Sequence, residues 1–177
     1  ASSSMIYGDF KKKNIDENHP KRPKEIYGTM KLAGEIITRG LCDFYKIKYN
    51  IVRPSAVYGP TDMNRRVSQI FIEKALNNEL LTIHGKNEYL DFTYVKDIAH
   101  GMIQAATSKV SGEDFNITNG KAHTLLEYAK ILKKFIPSLR YKIVPRDKFR
   151  PKRGTLSNKK AEKLINYKPK YTLTRGI

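Results

Sequence analysis

The chain has 177 residues, a single cysteine and a formal net charge of +17, from 34 lysines and arginines against 17 acidic residues. This length suffices for one domain, or for part of a domain together with a small second one. No apolar run approaches the roughly 18 residues that a transmembrane helix needs, so a membrane protein is not expected. Because Cys42 cannot form an internal disulfide, a reducing compartment such as the cytoplasm is expected.

The predicted elements alternate between strand and helix from the start of the chain. Residues 2–7 are predicted as a strand, and a long amphipathic helix runs from about Ile26 to Tyr45. A short buried strand at residues 50–53 ends at Pro54. The apolar side of the long helix carries Leu32, Ala33, Ile36, Ile37, Leu41 and Phe44.

The second half continues the same alternation. We expect Asp97 to cap its helix, and Thr124 with Glu127 forms the pattern of a capping box. The alternation predicts an α/β fold. The further predicted strands are residues 81–84, 91–95, 115–117 and 141–144, and the further predicted helices are residues 65–78, 97–107, 124–136 and 157–165.

Tyr27 and Lys31 occur in the order Y-G-T-M-K within the predicted long helix. At a spacing of four residues the two side chains lie on one helix face, where the lysine ammonium can favour the phenolate form of the tyrosine. A hydroxyl from another segment, such as that of Ser3, can complete a proton relay to a substrate hydroxyl or carbonyl. A Y-x-x-x-K pair also arises often by chance, so this interpretation depends on the surrounding motifs.

Those motifs resemble the extended short-chain dehydrogenase/reductases, specifically their NAD-dependent sugar-nucleotide epimerase/dehydratase branch. The resemblance implies the back half of a doubly wound Rossmann-type parallel sheet plus a small α/β substrate-binding domain. The motifs, in the expected order, are S-S-S-M-I-Y-G at residues 2–8, Y-G-T-M-K at 27–31, I-V-R-P-S-A-V-Y-G-P at 51–60, L-T-I-H-G at 81–85 and D-F-T-Y-V-K-D at 91–97. The implied Rossmann-type part covers residues 1–60 and 91–117, and the substrate-binding part covers residues 61–90 and 118–177.

The resemblance also implies the roles of individual residues. Tyr27 would be the general acid/base, and Lys31 would lower its pKa and bind the nicotinamide ribose. Ser3 would relay the proton and contact the sugar. Pro54 and Ser55 would contact the nicotinamide of NAD or NADP.

Two neighbours of Ser3 bear on the reaction. Ser4 and Met5 stand where the 4,6-dehydratases of the family carry an acidic pair, and loss of that pair disfavours dehydration. Strand alternation would also turn Ser2 and Ser4 away from the face of Ser3. Ser3 is therefore the expected relay.

Two further departures concern the substrate. Ala56 lies at a substrate-binding position where many relatives carry an asparagine, and Leu90 replaces an arginine that precedes the aspartate in many relatives. Arg66 and Arg153 are the candidate replacements, since a guanidinium fits a diphosphate, although either could also be a solvated surface cation.

The glycine-rich turn that holds a dinucleotide pyrophosphate in this family is absent from the sequence. We therefore expect the chain to be the back part of an epimerase/dehydratase and to bind a dinucleotide poorly by itself. The four histidines show no paired metal-ligand spacing, and no metal is expected.

The preferred hypothesis is an NAD(P)-dependent nucleotide-sugar epimerase or a related reductase, inactive as these residues alone and with a possible homodimer through the catalytic helix. The alternative is a non-catalytic basic remnant that binds nucleic acid or a partner protein. Nucleic-acid binding is less expected because the basic residues are scattered and few aromatics lie among them, whereas an anionic sugar nucleotide would favour the same positive field.

Overall fold

The computed structural model describes residues 1–177 as an α/β fold of parallel strand pairs with helices packed against them. The helices are α1 Ile26–Tyr45, α2 Val67–Leu76, α3 Val95–Thr107, α4 Leu125–Phe135, α5 Lys159–Ile165 and α6 Leu173–Gly176. The strands are β1 Asn14–Ile15, β2 Asn50–Pro54, β3 Val57–Tyr58, β4 Leu81–His84, β5 Tyr89–Leu90, β6 Thr93–Tyr94, β7 Glu113–Ile117, β8 His123–Thr124, β9 Tyr141–Val144 and β10 Thr155–Leu156.

The strands pair mostly in parallel. β2 pairs with β7, β3 with β6, β4 with β9 and β1 with β10, and only β5 and β8 are antiparallel. The first residues run beside β2, where the Ser2 N–H donates to the Val52 carbonyl at 2.8 Å. No helix is long and apolar enough to cross a membrane.

Two larger apolar cores support these pairs. One forms between β4, α2 and α4 and includes Phe71, Ile83 and Tyr128. The other forms around β2, β7 and α3 and also takes up α5 through Ala161 and Ile165. The last part of the chain therefore returns to pack on the sheet that carries β2.

The predicted strand at residues 2–7 is wrong beyond Ser3. Ser3 is extended, but residues Ser4–Tyr7 form a 3-10 turn. The Ser3 hydroxyl accepts a hydrogen bond from the Met5 N–H at 3.2 Å, which satisfies one of the free donors at the start of that turn. The local side-chain bond thus replaces the strand pairing that alternation had suggested.

The long helix has the predicted bounds, but its apolar side is mostly exposed. On α1 only Gly28 and Glu35 are buried, whereas Ile37 is 60% and Phe44 76% exposed. The face toward the sheet is thus held by a glycine and a carboxylate. The apolar face that the periodicity identified is exposed on the surface of the protein.

Other boundaries differ by short distances. Helix α3 begins at Val95, so the prediction that Asp97 caps it is wrong. The Asp97 carboxylate instead accepts the backbone N–H groups of Lys170 and Tyr171, at 2.9 and 3.0 Å. The capping box of α4 is confirmed, because Thr124 and Glu127 each accept the other's backbone N–H. Strands β4 and β9 match their predicted ranges.

A buried ionic network joins the segments around the start of the chain. The Arg53 guanidinium, fully buried on β2, makes two hydrogen bonds to Glu35 of α1, at 2.8 and 2.7 Å, and one to Asp114 of β7 at 2.5 Å. It also donates to the Tyr7 hydroxyl at 3.0 Å. Burial opposes ionisation of Asp114, but hydrogen bonds and positive charge from Arg39 and Arg53 outweigh it and lower the pKa of Asp114.

Arg53→Leu tests this network. The change leaves the buried Glu35 without its main cation, while Asp114 keeps Arg39, so the free energy of unfolding should fall by about 3–5 kcal/mol in urea titrations at pH 7. Arg65→Leu is the matched control, since its pair with Glu73 is exposed and its loss should cost clearly less. Equal losses in the two variants would contradict the assignment.

A second pair of variants tests how α1 sits on the 3-10 turn. A Cβ added at Gly28 would lie 2.7 Å from the Met5 carbonyl oxygen, whereas a Cβ at Gly34 would meet nothing within 4 Å. Gly28→Ala should therefore lower the free energy of unfolding by about 1–3 kcal/mol, because the added methyl group overpacks this contact. Gly34→Ala should stabilise by about 0.5–1 kcal/mol, since alanine is the better helix former. Thermal unfolding measures both, and effects of the same sign would contradict this packing.

Candidate functional site

A cavity of about 580 Å³ lies where the 3-10 turn, the start of α1 and the end of β2 meet. Its volume falls in the range of small-molecule sites. The walls come from residues distant in sequence: Ser3, Ser4, Met5, Tyr27, Pro54, Ala56, Val57, Asn64, Arg66, Val67, Ser68, Leu90, Phe92 and Arg153. None of these side chains is acidic. An anionic ligand would meet no fixed negative charge on these walls.

The structure brings Ser3 and Tyr27 to this one cavity. Tyr27 is 52% exposed at the first turn of α1. The Lys31 ammonium lies 5.8 Å from the centre of the Tyr27 ring and donates to the Ala1 carbonyl at 3.2 Å. Lys31 therefore stands beside the phenol but outside the cavity wall.

Ser4 also faces the cavity, which corrects the expectation that it points away. The alternation argument required a continuous strand, and the 3-10 turn breaks it after Ser3. The Ser4 hydroxyl accepts a hydrogen bond from Nη2 of Arg153 at 2.6 Å, while the Ser2 hydroxyl is buried and has no partner. Sequence spacing could not reveal this, because the turn depends on the Ser3 side-chain bond.

Arg153 is the most unusual charge at the site. Nη1 contacts the Met5 sulfur at 2.6 Å, Nη2 reaches the Ser55 hydroxyl at 3.5 Å, and Nε has no hydrogen-bond partner. The guanidinium also lies 5.1 Å from the centre of the Phe10 ring. Burial lowers the pKa of Arg153 to about 10, so the group remains charged at neutral pH. It forms no ion pair with a carboxylate.

Arg66 differs from Arg153 in its surroundings. It is exposed at the N-terminal end of α2, and its Nη1 pairs with Asp62 at 2.9 Å. Its charge is thus partly compensated within the chain. Of the two candidate phosphate ligands, Arg153 is the one whose charge lacks a partner.

The remaining sequence-predicted positions lie at the end of β2. Pro54 and Ala56 line the cavity, and Ala56 has a positive φ of 35°, which turns the chain sharply between β2 and β3. Ser55 is buried and reaches the cavity only through Arg153. Asn64 and Ser68, which sequence reasoning missed, add polar groups on the α2 side.

Asp91 supports the cavity from behind. It is buried between the wall residues Leu90 and Phe92, and its Oδ2 accepts the Leu156 N–H at 3.1 Å. Burial raises the pKa of Asp91 to about 7. The bond fixes β10 and thereby the segment that carries Arg153. No group of three or more histidine, cysteine or acidic residues is arranged to hold a metal ion.

Comparison with known proteins places the chain in a family. Residues 1–118 match the NAD dependent epimerase/dehydratase family. A putative UDP-glucose 4-epimerase of Methanocaldococcus jannaschii is 34% identical over 186 aligned residues, which cover all of this chain and 59% of that protein.

Solved structures with a similar fold include sugar-nucleotide epimerases. UDP-glucuronic acid 4-epimerase of Bacillus cereus, in complex with UDP-glucuronic acid and NAD, superposes with a TM-score of 0.91 at 28% identity and covers 99% of this chain and 57% of its own. UDP-glucose 4-epimerase of Thermotoga maritima, with UDP-glucose, gives 0.90 at 28% identity, with 99% of this chain and 59% of its own covered. The chain thus spans somewhat more than half of the length of these relatives. It belongs to the NAD-dependent epimerase/dehydratase family.

Proposed function

We propose that these residues form the nucleotide-sugar side of an NAD(P)-dependent sugar-nucleotide epimerase. The observation that carries the proposal is the charged Arg153 guanidinium, which lacks a carboxylate partner in the cavity that also contains Ser3 and Tyr27. Burying a cation is costly unless it is paired, and a diphosphate bound at this position would supply the missing negative charge. The related structures that contain UDP-glucuronic acid or UDP-glucose support this choice of ligand class.

The residues present fit the nicotinamide end of the cofactor. Tyr27 is half exposed, and the Lys31 ammonium has only one hydrogen-bond partner, the Ala1 carbonyl. Tyr27, Lys31, Pro54 and Ser55 would hold the nicotinamide and its ribose. NAD held there would supply the acceptor and donor of hydride for the sugar carbon.

Side chains of this chain carry out the proton transfer. Tyr27 accepts the proton of the sugar hydroxyl and later returns it, and the Lys31 ammonium lies beside its ring. Ser3 keeps its hydroxyl hydrogen available, because its oxygen accepts the Met5 N–H and the group can still donate to the sugar oxygen. Arg153 and Arg66 orient the diphosphate, so the sugar enters with its reacting hydroxyl toward Tyr27.

Epimerisation is favoured over dehydration by the cavity walls. Elimination of water requires an additional acid and base, and no lining side chain is an aspartate or glutamate. Ser4 and Met5 lie on the 3-10 turn where such a pair would be needed. No feature of the fold or of the relatives favours the nucleic-acid hypothesis, and we do not retain it.

Tyr27→Phe deletes the oxygen that transfers the proton and keeps the ring. In the active enzyme, kcat should fall by about 10²-fold or more, with a smaller change in substrate affinity. Initial rates with UDP-glucose and UDP-glucuronic acid measure this. Tyr45→Phe, which alters an exposed tyrosine on the same helix far from the cavity, is the control and should leave kcat unchanged. Near-full activity of Tyr27→Phe would remove the catalytic assignment.

Substitutions of Ser3 and Ser4 should change different kinetic constants. Ser3→Ala should lower kcat, because it removes the relay. Ser4→Ala should chiefly raise KM, because Ser4 positions Arg153. A collapse of kcat in Ser4→Ala with normal turnover in Ser3→Ala would place the relay one residue later.

Calorimetry on the 177-residue chain tests the diphosphate site without turnover. Arg153→Gln should weaken UDP or dTDP binding by about 10-fold or more, in line with the roughly 1.5–3 kcal/mol of a charge-assisted hydrogen bond. Arg140→Gln is the control, since the exposed side chain of this arginine makes a hydrogen bond only to the Asn78 carbonyl. NAD(H) should bind negligibly, because no glycine-rich turn occurs in these residues. Unchanged UDP affinity in Arg153→Gln, or micromolar NAD(H) affinity, would contradict these assignments.

A further inference from the structure

A second cavity of about 590 Å³ lies on the other side of the Arg153 segment. Only Arg153 lines both cavities. The neighbouring β5 residues separate them, since Leu90 faces the first cavity and Tyr89 faces the second. The second cavity is therefore distinct from the proposed nucleotide-sugar site and has a wall of its own.

The charged residues that line this second cavity are almost all basic. Its lining includes the basic residues Lys11, Lys12, Lys13, Arg146, Lys152 and Arg153, against the single acid Glu88. Glu88 is already neutralised, because Arg146 donates to its two oxygens at 2.7 and 3.1 Å. None of the four lysines forms an ion pair. The cavity thus carries uncompensated positive charge.

The fold holds these like charges together through the backbone. The Phe10 N–H donates to the Lys152 carbonyl at 2.8 Å, and the Thr155 N–H donates to the Lys13 carbonyl at 3.2 Å. β1 and β10 continue the same contact as a parallel pair. Mutual repulsion of the lysines opposes this contact, and an anion bound between the two segments would relieve it.

We propose that this second cavity binds a small polyphosphate, either inorganic or the phosphate chain of a nucleotide. Several lysines around one concave site suit an anion that carries several charges, and lysine is a common phosphate ligand. The size of the cavity admits a compact ligand. The exposed Tyr89 at the wall also offers an aromatic face to a base.

Inorganic tripolyphosphate and ATP are the probes, titrated separately by calorimetry into the 177-residue chain at about 0.15 M salt, where diffuse attraction is screened. Both should bind and raise the melting temperature. Equal affinities would identify the phosphate chain as the ligand, and tighter binding of ATP would identify a nucleotide. Absence of binding of both at millimolar concentration would overturn the proposal.

The variant Lys12→Gln, Lys13→Gln, Lys152→Gln should lose at least about 10-fold in affinity for tripolyphosphate and should melt no lower than the parent without ligand, since repulsion is removed. The control Lys130→Gln, Lys134→Gln, Lys163→Gln makes the same charge change at exposed residues outside both cavities and should retain the affinity. Arginine at the three cavity positions should also retain it. Equal losses in the two glutamine variants would show diffuse attraction and refute a site.

Discussion

The buried guanidinium of Arg53 is the interaction on which the rest of the structure depends. From β2 it binds Glu35 of α1, Asp114 of β7 and Tyr7 of the 3-10 turn. Burial raises the pKa of Tyr7 above its ordinary value, so the hydroxyl stays protonated and donates to the Asn116 side chain at 2.8 Å. One buried cation thus links three segments of the chain to β2.

Two of these segments, and β2 itself, carry the proposed chemistry. The turn presents Ser3, α1 presents Tyr27, and the residue that follows Arg53 is Pro54 at the cavity wall. The network lies behind the cavity and does not line it. A loss of catalysis on changing Arg53 would therefore arise from displaced elements and would accompany a loss of stability. A change at Tyr27 should lower turnover without that loss of stability.

The sequence was sufficient for elements that are determined by local patterns. The bounds of α1, β4 and β9 and the capping box at Thr124 follow from periodicity and from short-range hydrogen bonds. The sequence was not sufficient where the role of a side chain depends on a partner that is distant in the chain. Asp97 looked like a cap but binds the backbone at Lys170 and Tyr171, more than 70 residues away.

The same distinction, between local patterns and contacts that only the fold creates, applies to the candidate site. The motifs indicated Ser3 and Tyr27, and both lie at one cavity. The unpaired state of Arg153 could not be read from the sequence, because it depends on which carboxylates the fold leaves out of reach. The apolar side of α1 was identified correctly but is exposed, since the contact with the sheet uses Gly28 and Glu35. Whether a second copy covers that face stays a prediction.

The parallel strand pairs also determine when the site can exist. β1 pairs with β10 and β4 with β9, and the cavity combines Ser3 with Arg153. Such contacts between distant residues give a high contact order, which slows folding because long loops must close first. During synthesis Ser3 and Tyr27 emerge well before Arg153, so the cavity can form only after that later segment has left the ribosome. Until then the apolar strands stay exposed, so a chaperone should raise the yield of competent protein.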